Sequence, residues 1–311
     1  MICFQNTLEG KTLIINHKEY KIYNQEHYKQ LLFLFDKYCS IKAINIKKLA
    51  VIFHGMFHIL FRYQDILIKL VYNDFSNIED QYILSQKSTN FGKIHEIFTI
   101  PNTNSKIITF EYISNLFDSS TIFNQKCPFI FLYSMTIDYL KSLNSLHKSG
   151  YIHSSIKPIY LMVSIGDKTL GKLVGLDDIT KVEKDIVYYY NTSGAINYLA
   201  PERYEYFENY GFFGMTSFQS DIWELFFSIL NILDIIILNE FLELYYNNFE
   251  ILESYLLNKI VKRFSIDTNN ILIGLADKYI KTVVQGLKLK GRPDIEWYIH
   301  QLIGYKEIID K

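Results

Sequence analysis

The chain has 311 residues, and its 32 basic and 33 acidic side chains give a formal net charge of −1. Hydrophobic residues make up 49% of the chain, which is enough for a sizeable core and excludes a wholly disordered protein. Because the charges balance, the chain has no electrostatic footprint for nucleic acid or for an anionic membrane surface, and we expect neither as a partner.

The predicted elements place strands early in the chain and helices late. Alternation of apolar and polar residues predicts a small hairpin within 10–24. Apolar residues at helical spacing predict a helix within 25–41. Apolar runs then predict four strands and one helix: strands Leu49–Phe53, His58–Tyr63, Ile66–Tyr72 and Ile108–Ile113, and helix Ser76–Gln86. From about Phe129 onward the periodicity is mostly helical.

This order of elements indicates an α+β fold with two lobes of unequal size. The expected organisation is an N-terminal extension at 1–44, a small β-rich lobe at 45–113 and a larger helical lobe at 114–311. The most apolar run, Leu225–Leu242, contains two asparagines, an aspartate and a glutamate. A bilayer span needs about 20 residues with few polar ones, so this run is interpreted as a buried helix.

Cysteine usage gives no sign of a disulfide framework or of a metal centre. The three cysteines, Cys3, Cys39 and Cys127, lie far apart and lack the spacing of metal ligands. The first residues carry neither a basic segment nor a long apolar one, so no secretory leader is predicted. We therefore expect reduced thiols, no bound metal and a cytosolic protein.

Six segments resemble the motifs of protein kinases, in the order in which kinases carry them. Leu146–Val163 (LHKSGYIHSSIKPIYLMV) resembles the catalytic loop H-R-D-L-K-P-x-N, and Lys172–Asp178 (KLVGLDD) stands where the metal-binding D-F-G would be. The others resemble the strand with the phosphate-pairing lysine, the A-P-E segment, the central helix and the late arginine-bearing helix: Ile66–Lys69, Ile196–Glu202, Ser220–Trp223 and Gly291–Leu302. The resemblance covers about residues 45–305 and implies a bilobal kinase-like fold.

Three positions that would carry phosphoryl transfer in a kinase are changed. Ser155 stands in place of the catalytic base, Tyr160 in place of the metal-binding Asn, and Gly175 in place of the D-F-G aspartate. A lost base costs about 10²–10⁴ in rate, and lost metal assistance removes further charge stabilisation. Asp177 or Asp178 would have to move by roughly 6.5 Å to restore the metal site. We therefore expect an inactive pseudokinase that uses no cofactor.

The remaining nucleotide contacts leave two interpretations open. The phosphate-covering loop keeps only Gly55 of the pattern G-x-G-x-x-G. Lys69 is present, with Glu79 or Asp80 as the candidate partner on the following helix. Either Gly55, Lys69 and Glu79 retain a metal-independent nucleotide contact, or the lysine forms a structural ion pair that holds the helix against the strands.

Other motif residues are predicted to be structural. Glu202 and Arg292 should form a buried ion pair, and loss of one partner of such a pair typically costs about 3–5 kcal/mol. Asp221 should hold the backbone of the catalytic-loop segment. His147 and His153 have no partners at metal-ligand spacing, so they are interpreted as structural histidines.

The aromatic segment YEYFENYGFF, from Tyr204 to Phe213, also leaves two interpretations. It is either packed in the core or exposed as an anchor patch for a protein partner. The candidate partner-binding residues are Tyr204, Tyr206, Phe207, Tyr210, Phe212 and Phe213.

Among pseudokinases, the chain resembles the mixed lineage kinase domain-like family, which executes necroptosis. Gly175–Asp177 (GLD) resembles the G-F-E that replaces D-F-G in that family. Ile41–Ile52 resembles the run that leads into its small lobe, and the long link from Ile196 to Trp223 resembles its extended connection. The resemblance implies that the partner is the host receptor-interacting serine/threonine kinase of necroptosis.

Two departures from that family bear on the expected function. Family members carry an N-terminal four-helix bundle and a brace, whereas only residues 1–44 precede the kinase-like part here, so we expect the killing module to be missing. The family's activating Thr-Ser phosphoacceptors correspond to Glu183 and Lys184. This combination resembles truncated poxviral homologues and implies a decoy in the host cell cytoplasm. A scaffold for another viral or host kinase, and an unorthodox active kinase, are the alternatives.

Overall fold

The computed structural model divides the chain into two compact units, Met1–Ser114 and Asn115–Lys311. The residues that the structure describes are 2–7, 10–15, 18–21, 33, 35–54, 58–71, 78–87, 91–99, 105–113, 116–123, 127–165, 170–182, 186–188, 196–211, 215–234, 236, 238–267, 271–288 and 290–309. The first unit is built mainly from strands and the second mainly from helices, so the predicted α+β class is confirmed.

The first unit begins with a three-stranded antiparallel sheet in the order β1-β2-β3. Its strands are β1 (Ile2–Thr7), β2 (Gly10–Ile15) and β3 (Lys18–Lys21). The hairpin predicted within 10–24 corresponds to β2 and β3, whereas β1 was not predicted. Residues 35–41 are helical and form α1, within the segment where a helix was predicted.

A five-stranded antiparallel sheet with the order β4-β5-β6-β8-β7 forms the rest of this unit. Its elements in chain order are β4 (Ala50–His54), β5 (His58–Tyr63), β6 (Ile66–Val71), helix α2 (Ile78–Lys87), β7 (Ile94–Thr99) and β8 (Lys106–Glu111). Four of the strands and the helix lie where the apolar runs predicted them. β7 was missed because Glu96 interrupts its apolar pattern; there it accepts hydrogen bonds from Tyr38 and Lys42.

The core of the sheet joins β5, β6 and β8 to the preceding helix. Alternate residues of each strand point to one face, and the residues of these strands that pack in one cluster with α1 are fully buried or, as for Ile66, partly buried. Phe35 of α1 stacks on Phe61 of β5 with ring centroids 4.8 Å apart. The buried cluster consists of Phe35, Tyr38, Cys39, Leu49, Ile59, Phe61, Ile68, Leu70 and Ile107.

The second unit consists of helices with short strands between them. The helices are α3 (Ser119–Phe123), α4 (Phe129–Lys148), α5 (Pro201–Tyr210), α6 (Phe218–Ile232), α7 (Leu238–Asn247), α8 (Phe249–Phe264), α9 (Ile271–Leu287) and α10 (Ile295–Ile309). The strands are β9 (Leu116–Asp118), β10 (Tyr151–Ile152), β11 (Leu161–Ser164), β12 (Leu170–Leu173), β13 (Thr180–Lys181), β14 (Ile186–Tyr188) and β15 (Met215–Ser217). They pair as β12-β11-β9, β10-β13 and β14-β15, always antiparallel.

Helix α6 is the central element of the second unit, and most of its residues are buried. A capping box starts it, because Ser217 and Ser220 each accept a hydrogen bond from the other's backbone N–H. The apolar run Leu225–Leu242, predicted as one buried helix, is in fact broken after α6. Asp234 adopts a left-handed φ of 53°, which Asp tolerates better than most residues, and α7 begins beyond it. Within the described residues, no helix combines the length and the hydropathy that a membrane crossing requires.

Candidate functional site

The loop between β10 and β11, here called the 153–160 loop, is the part of the second unit where the sequence motifs converge. It runs from His153 through the 3-10 turn Pro158–Tyr160. The first four residues of the loop are buried, so water cannot satisfy their backbone N–H and C=O groups. Side chains of α5 and α6 supply the partners instead.

The carboxylate of Asp221, at the start of α6, accepts hydrogen bonds from the first two backbone N–H groups of the loop. Its Oδ2 accepts the N–H of His153 at 2.7 Å, and its Oδ1 accepts the N–H of Ser154 at 3.0 Å. The Nε2 atom of His147 lies 2.9 Å from the same Oδ2. Ser154 has a left-handed φ of 66°, a conformation that costs a non-glycine residue about 1–3 kcal/mol. Asp221 therefore holds the loop in a strained shape, which is the role that the sequence predicted for it.

A buried ion pair continues this anchoring one turn further along α6. Glu224 Oε2 accepts the N–H of Ile156 at 3.0 Å, and its Oε1 lies 2.6 Å from Nη1 of Arg203. The same Nη1 donates to the carbonyl of Ser154 at 2.7 Å. Both charged side chains are fully buried, and burial raises the pKa of Glu224 to about 7 against the opposing charge of Arg203.

The sequence analysis missed Arg203 and Glu224. One signal was present, because Asp221 and Glu224 are three residues apart and therefore lie on one face of a helix. Buried and exposed charges look alike in a single sequence, so this signal alone did not separate Glu224 from a surface carboxylate.

His153 is a neutral, structural histidine in the structure. Its Nε2 lies 3.1 Å from the carbonyl oxygen of Val174, and a carbonyl only accepts, so Nε2 carries the proton. Burial is the largest effect on this side chain and lowers the pKa of its imidazole. Its Nδ1 has no hydrogen-bond partner within the described residues.

The changed positions Tyr160 and Gly175 are in direct contact. Gly175 has a left-handed φ of 80°, and a Cβ atom added there would lie 2.3 Å from Cδ1 of Tyr160. The tyrosine ring also lies 4.6 Å from Nζ of Lys157 and 5.8 Å from the ring of His153. The space beside residue 175 is therefore filled by an aromatic ring. Burial, followed by Asp177 and Asp178, raises the pKa of Tyr160, which keeps the phenol neutral.

The third changed position, Ser155, is buried in the same loop. Its Oγ has no hydrogen-bond partner within the described residues. Ser155, Tyr160 and Gly175 thus carry a hydroxyl, a phenol and a hydrogen atom, and none of the three is a carboxylate or an amide. In the part of the chain that the structure describes, no group of three or more His, Cys, Asp or Glu side chains is arranged to hold a metal ion.

The predicted pair of Glu202 and Arg292 forms in the structure. Nη1 and Nη2 of Arg292 donate to the two carboxylate oxygens of Glu202 at 2.6 and 3.0 Å. Arg292 also donates to the carbonyls of Gln219 and Lys288. The arginine is buried, but the glutamate side chain is one-third exposed, so the pair is only partly buried. It links the start of α5 to the start of α6 and to the end of α9.

Replacing Arg292 by Met should lower the free energy of unfolding by about 2 kcal/mol, because several hydrogen bonds of a charged donor are lost while Glu202 can rehydrate. The exposed Lys290 provides the control, and Lys290→Met should change the free energy of unfolding by less than about 0.5 kcal/mol. Urea unfolding followed by tryptophan fluorescence measures both. Equal stabilities of the two variants would show that this pair does not tie the helices together.

The candidate nucleotide-binding residues belong to the first unit. Lys69 is buried on β6, Glu79 is exposed in the first turn of α2, and Asp80 beside it is half-buried. Gly55 lies outside the described residues. A nucleotide contact by these residues stays a prediction.

The aromatic candidates on α5 differ in exposure. Tyr204 and Tyr210 are exposed, and Tyr206 and Phe207 are half-buried. Phe212 and Phe213 lie outside the described residues. The interpretation as a purely internal cluster therefore does not hold for the two exposed tyrosines.

No protein family model matches the chain, and no curated protein is significantly similar to it.

Proposed function

We propose that the chain is a catalytically inactive pseudokinase that binds the host receptor-interacting serine/threonine kinase of necroptosis and blocks activation of the mixed lineage kinase domain-like effector. The observation that carries this proposal is the 153–160 loop. Asp221 and Glu224 anchor its backbone from α6, while Ser155, Tyr160 and Gly175 replace the groups of phosphoryl transfer. The chain thus keeps the scaffold of a kinase site without its chemistry.

A kinase-like fold is supported by the arrangement of both units. Lys69 lies on the third strand of the five-stranded sheet, and a single helix, α2, follows that strand, as the phosphate-pairing lysine and its helix do in kinases. In the second unit, the pair of Glu202 and Arg292 joins the segments that resemble A-P-E and the late helix. These motif residues come together although they are far apart in the chain.

Inactivity follows from the chemistry of the replaced side chains. A serine hydroxyl does not accept a proton near pH 7, so Ser155 cannot serve as the general base. The side chains of Tyr160 and Gly175 contain no carboxylate or amide oxygen for a metal ion, and the ring of Tyr160 covers Gly175. Binding is then the function left to the domain.

The expected mechanism is competition for the host kinase. Glu183 and Lys184 stand where the resemblance places the activating phosphoacceptors, so capture by the host kinase would not be followed by the same phosphorylation. At comparable affinities, the host effector is displaced once this chain is in excess.

The test uses the purified chain, the purified host kinase and the host effector. We expect direct binding to the kinase, and a fall in effector phosphorylation as the chain is added. Expression of the chain in human or rodent cells should reduce necroptosis in parallel. If the host kinase does not bind, the proposal fails, and capture of a different kinase from the same cells would favour the scaffold function instead.

A further inference from the structure

A face of the second unit formed by α5 and α7, here called the acidic tyrosine face, exposes aromatic rings among carboxylates. Its members are Tyr204, Glu205 and Glu208 of α5, which share one side of that helix, and Tyr246 of α7. The side chains of Tyr204 and Tyr246 are 38% and 60% exposed. Exposed tyrosines of this kind, set close together, are typical of protein interfaces.

Tyr246 of α7 is close enough to Tyr204 of α5 to influence the pKa of that phenol. A hydrogen bond with Glu208 is the largest of the effects that raise the pKa of Tyr204, and the neighbouring Tyr246 adds to it. Partial burial, Glu205 and Glu202 raise the pKa of Tyr246 in turn. Tyr204 is therefore close to a carboxylate of its own helix, and Tyr246 is close to carboxylates of α5. Both phenols remain neutral.

The exposed charged side chains of α5 and α7 are all carboxylates, although the whole chain is nearly neutral. The single basic residue of these two helices, Arg203, is fully buried and paired with Glu224. Glu202 is paired with Arg292 and Glu240 with Lys259, so the carboxylates of this face that can attract a base are Glu205 and Glu208. Among the ion pairs of the described residues, none involves Glu205 or Glu208.

These features determine which kind of partner the acidic tyrosine face can bind. An apolar partner would bury Glu205 and Glu208 without compensation, which costs free energy. An acidic partner would be repelled. An arginine side chain satisfies both kinds of group, because its guanidinium stacks on a tyrosine ring and donates paired hydrogen bonds to a carboxylate.

We propose that the acidic tyrosine face docks an arginine-bearing basic segment of a protein partner. The rings of Tyr204 and Tyr246 take the guanidinium planes and aliphatic stems, and Glu205 and Glu208 take the N–H groups. This inference does not depend on the pseudokinase proposal, since it concerns a surface outside the 153–160 loop.

The experiment measures binding of a short fluorescein-labelled peptide of alternating arginine and alanine to the purified full chain. The arginine peptide should bind more tightly than the corresponding lysine peptide, and a glutamate peptide should not bind. Tyr246→Leu should weaken binding of the arginine peptide about two- to fivefold, as expected for loss of an exposed cation–π contact. Tyr246→Phe keeps the ring and should retain the affinity of the wild-type chain.

The double variant Glu205→Gln/Glu208→Gln should weaken binding further and reduce its dependence on salt. Its matched control is Asp65→Asn/Glu111→Gln, which neutralises two exposed carboxylates of the first unit. Equal losses in both double variants would show non-specific attraction and overturn the proposal. An unchanged affinity of Tyr246→Leu would overturn it as well, as would self-association of the chain through this face in sedimentation.

Discussion

Replacing Asp221 by Ala is expected to lower the free energy of unfolding of the second unit by about 3–5 kcal/mol, since each buried N–H left without an acceptor costs about 1–3 kcal/mol. Two such groups, on His153 and Ser154, lose their acceptor in this variant. Both tryptophans, Trp223 and Trp297, lie in the second unit, so tryptophan fluorescence during urea unfolding reports on it selectively.

Two further variants sharpen this test. Asp221→Asn keeps one acceptor oxygen and should lose clearly less stability than Asp221→Ala. Glu243→Ala removes an exposed carboxylate of α7 and should change the free energy of unfolding by less than about 0.5 kcal/mol. If Asp221→Ala unfolds at the same urea concentration as Glu243→Ala, the loop is not anchored from α6.

The second large effect is expected at the buried ion pair. Arg203→Met leaves Glu224 buried without its counter-charge and should cost about 3–5 kcal/mol. The loss should depend on pH because burial already raises the pKa of Glu224 to about 7. A carboxyl whose pKa is raised in the folded state stabilises that state most below its unfolded pKa, and this contribution disappears as pH rises through the folded pKa. The variant should therefore be more severely destabilised at about pH 8 than at about pH 5.

The control for this variant removes both charges. Arg203→Met/Glu224→Gln keeps an acceptor for the N–H of Ile156 and leaves no buried charge, so most of the stability should return. Two guanidinium nitrogens of Arg203, Nε and Nη2, have no acceptor within the described residues, which further limits the loss in the double variant. Equal destabilisation of Arg203→Met at both pH values, without recovery in the double variant, would contradict a pH-sensitive pair.

The sequence alone was sufficient to locate the strands and helices that a local hydrophobic pattern marks. The strands β4, β5 and β6 are short apolar runs between polar turns, and these runs located them to within one residue at each end. The break between α6 and α7 was not visible in the same way. The residues on both sides of Asp234 are apolar in the sequence, and the left-handed backbone of Asp234 follows the end of α6.

The same distinction applies to the candidate site, where residues in motifs were predicted and the buried charges were not. Asp221, Glu202 and Arg292 were predicted because each belongs to a motif with a characteristic spacing. Arg203 and Glu224 were not, since their partners are backbone groups and each other, and a sequence does not state which charges are buried.

The contact between Tyr160 and Gly175 shows a second limit of sequence reasoning. The resemblance to kinases implies that each change, considered alone, removes a metal ligand. In the structure the two changes fit together, because the ring needs the space that a Cβ at position 175 would occupy. Complementarity of this kind depends on a tertiary contact between residues on different segments, which no local pattern encodes.

We propose that the 153–160 loop keeps the scaffold of a kinase site without phosphoryl transfer. The most direct measurement is transfer of radiolabelled phosphate from ATP and Mg²⁺ by the purified chain, to itself and to a general protein substrate, beside an active kinase. We expect transfer at the background rate. Magnesium-dependent transfer that is lost in Asp177→Asn/Asp178→Asn would contradict the claim and identify the chain as an unorthodox kinase.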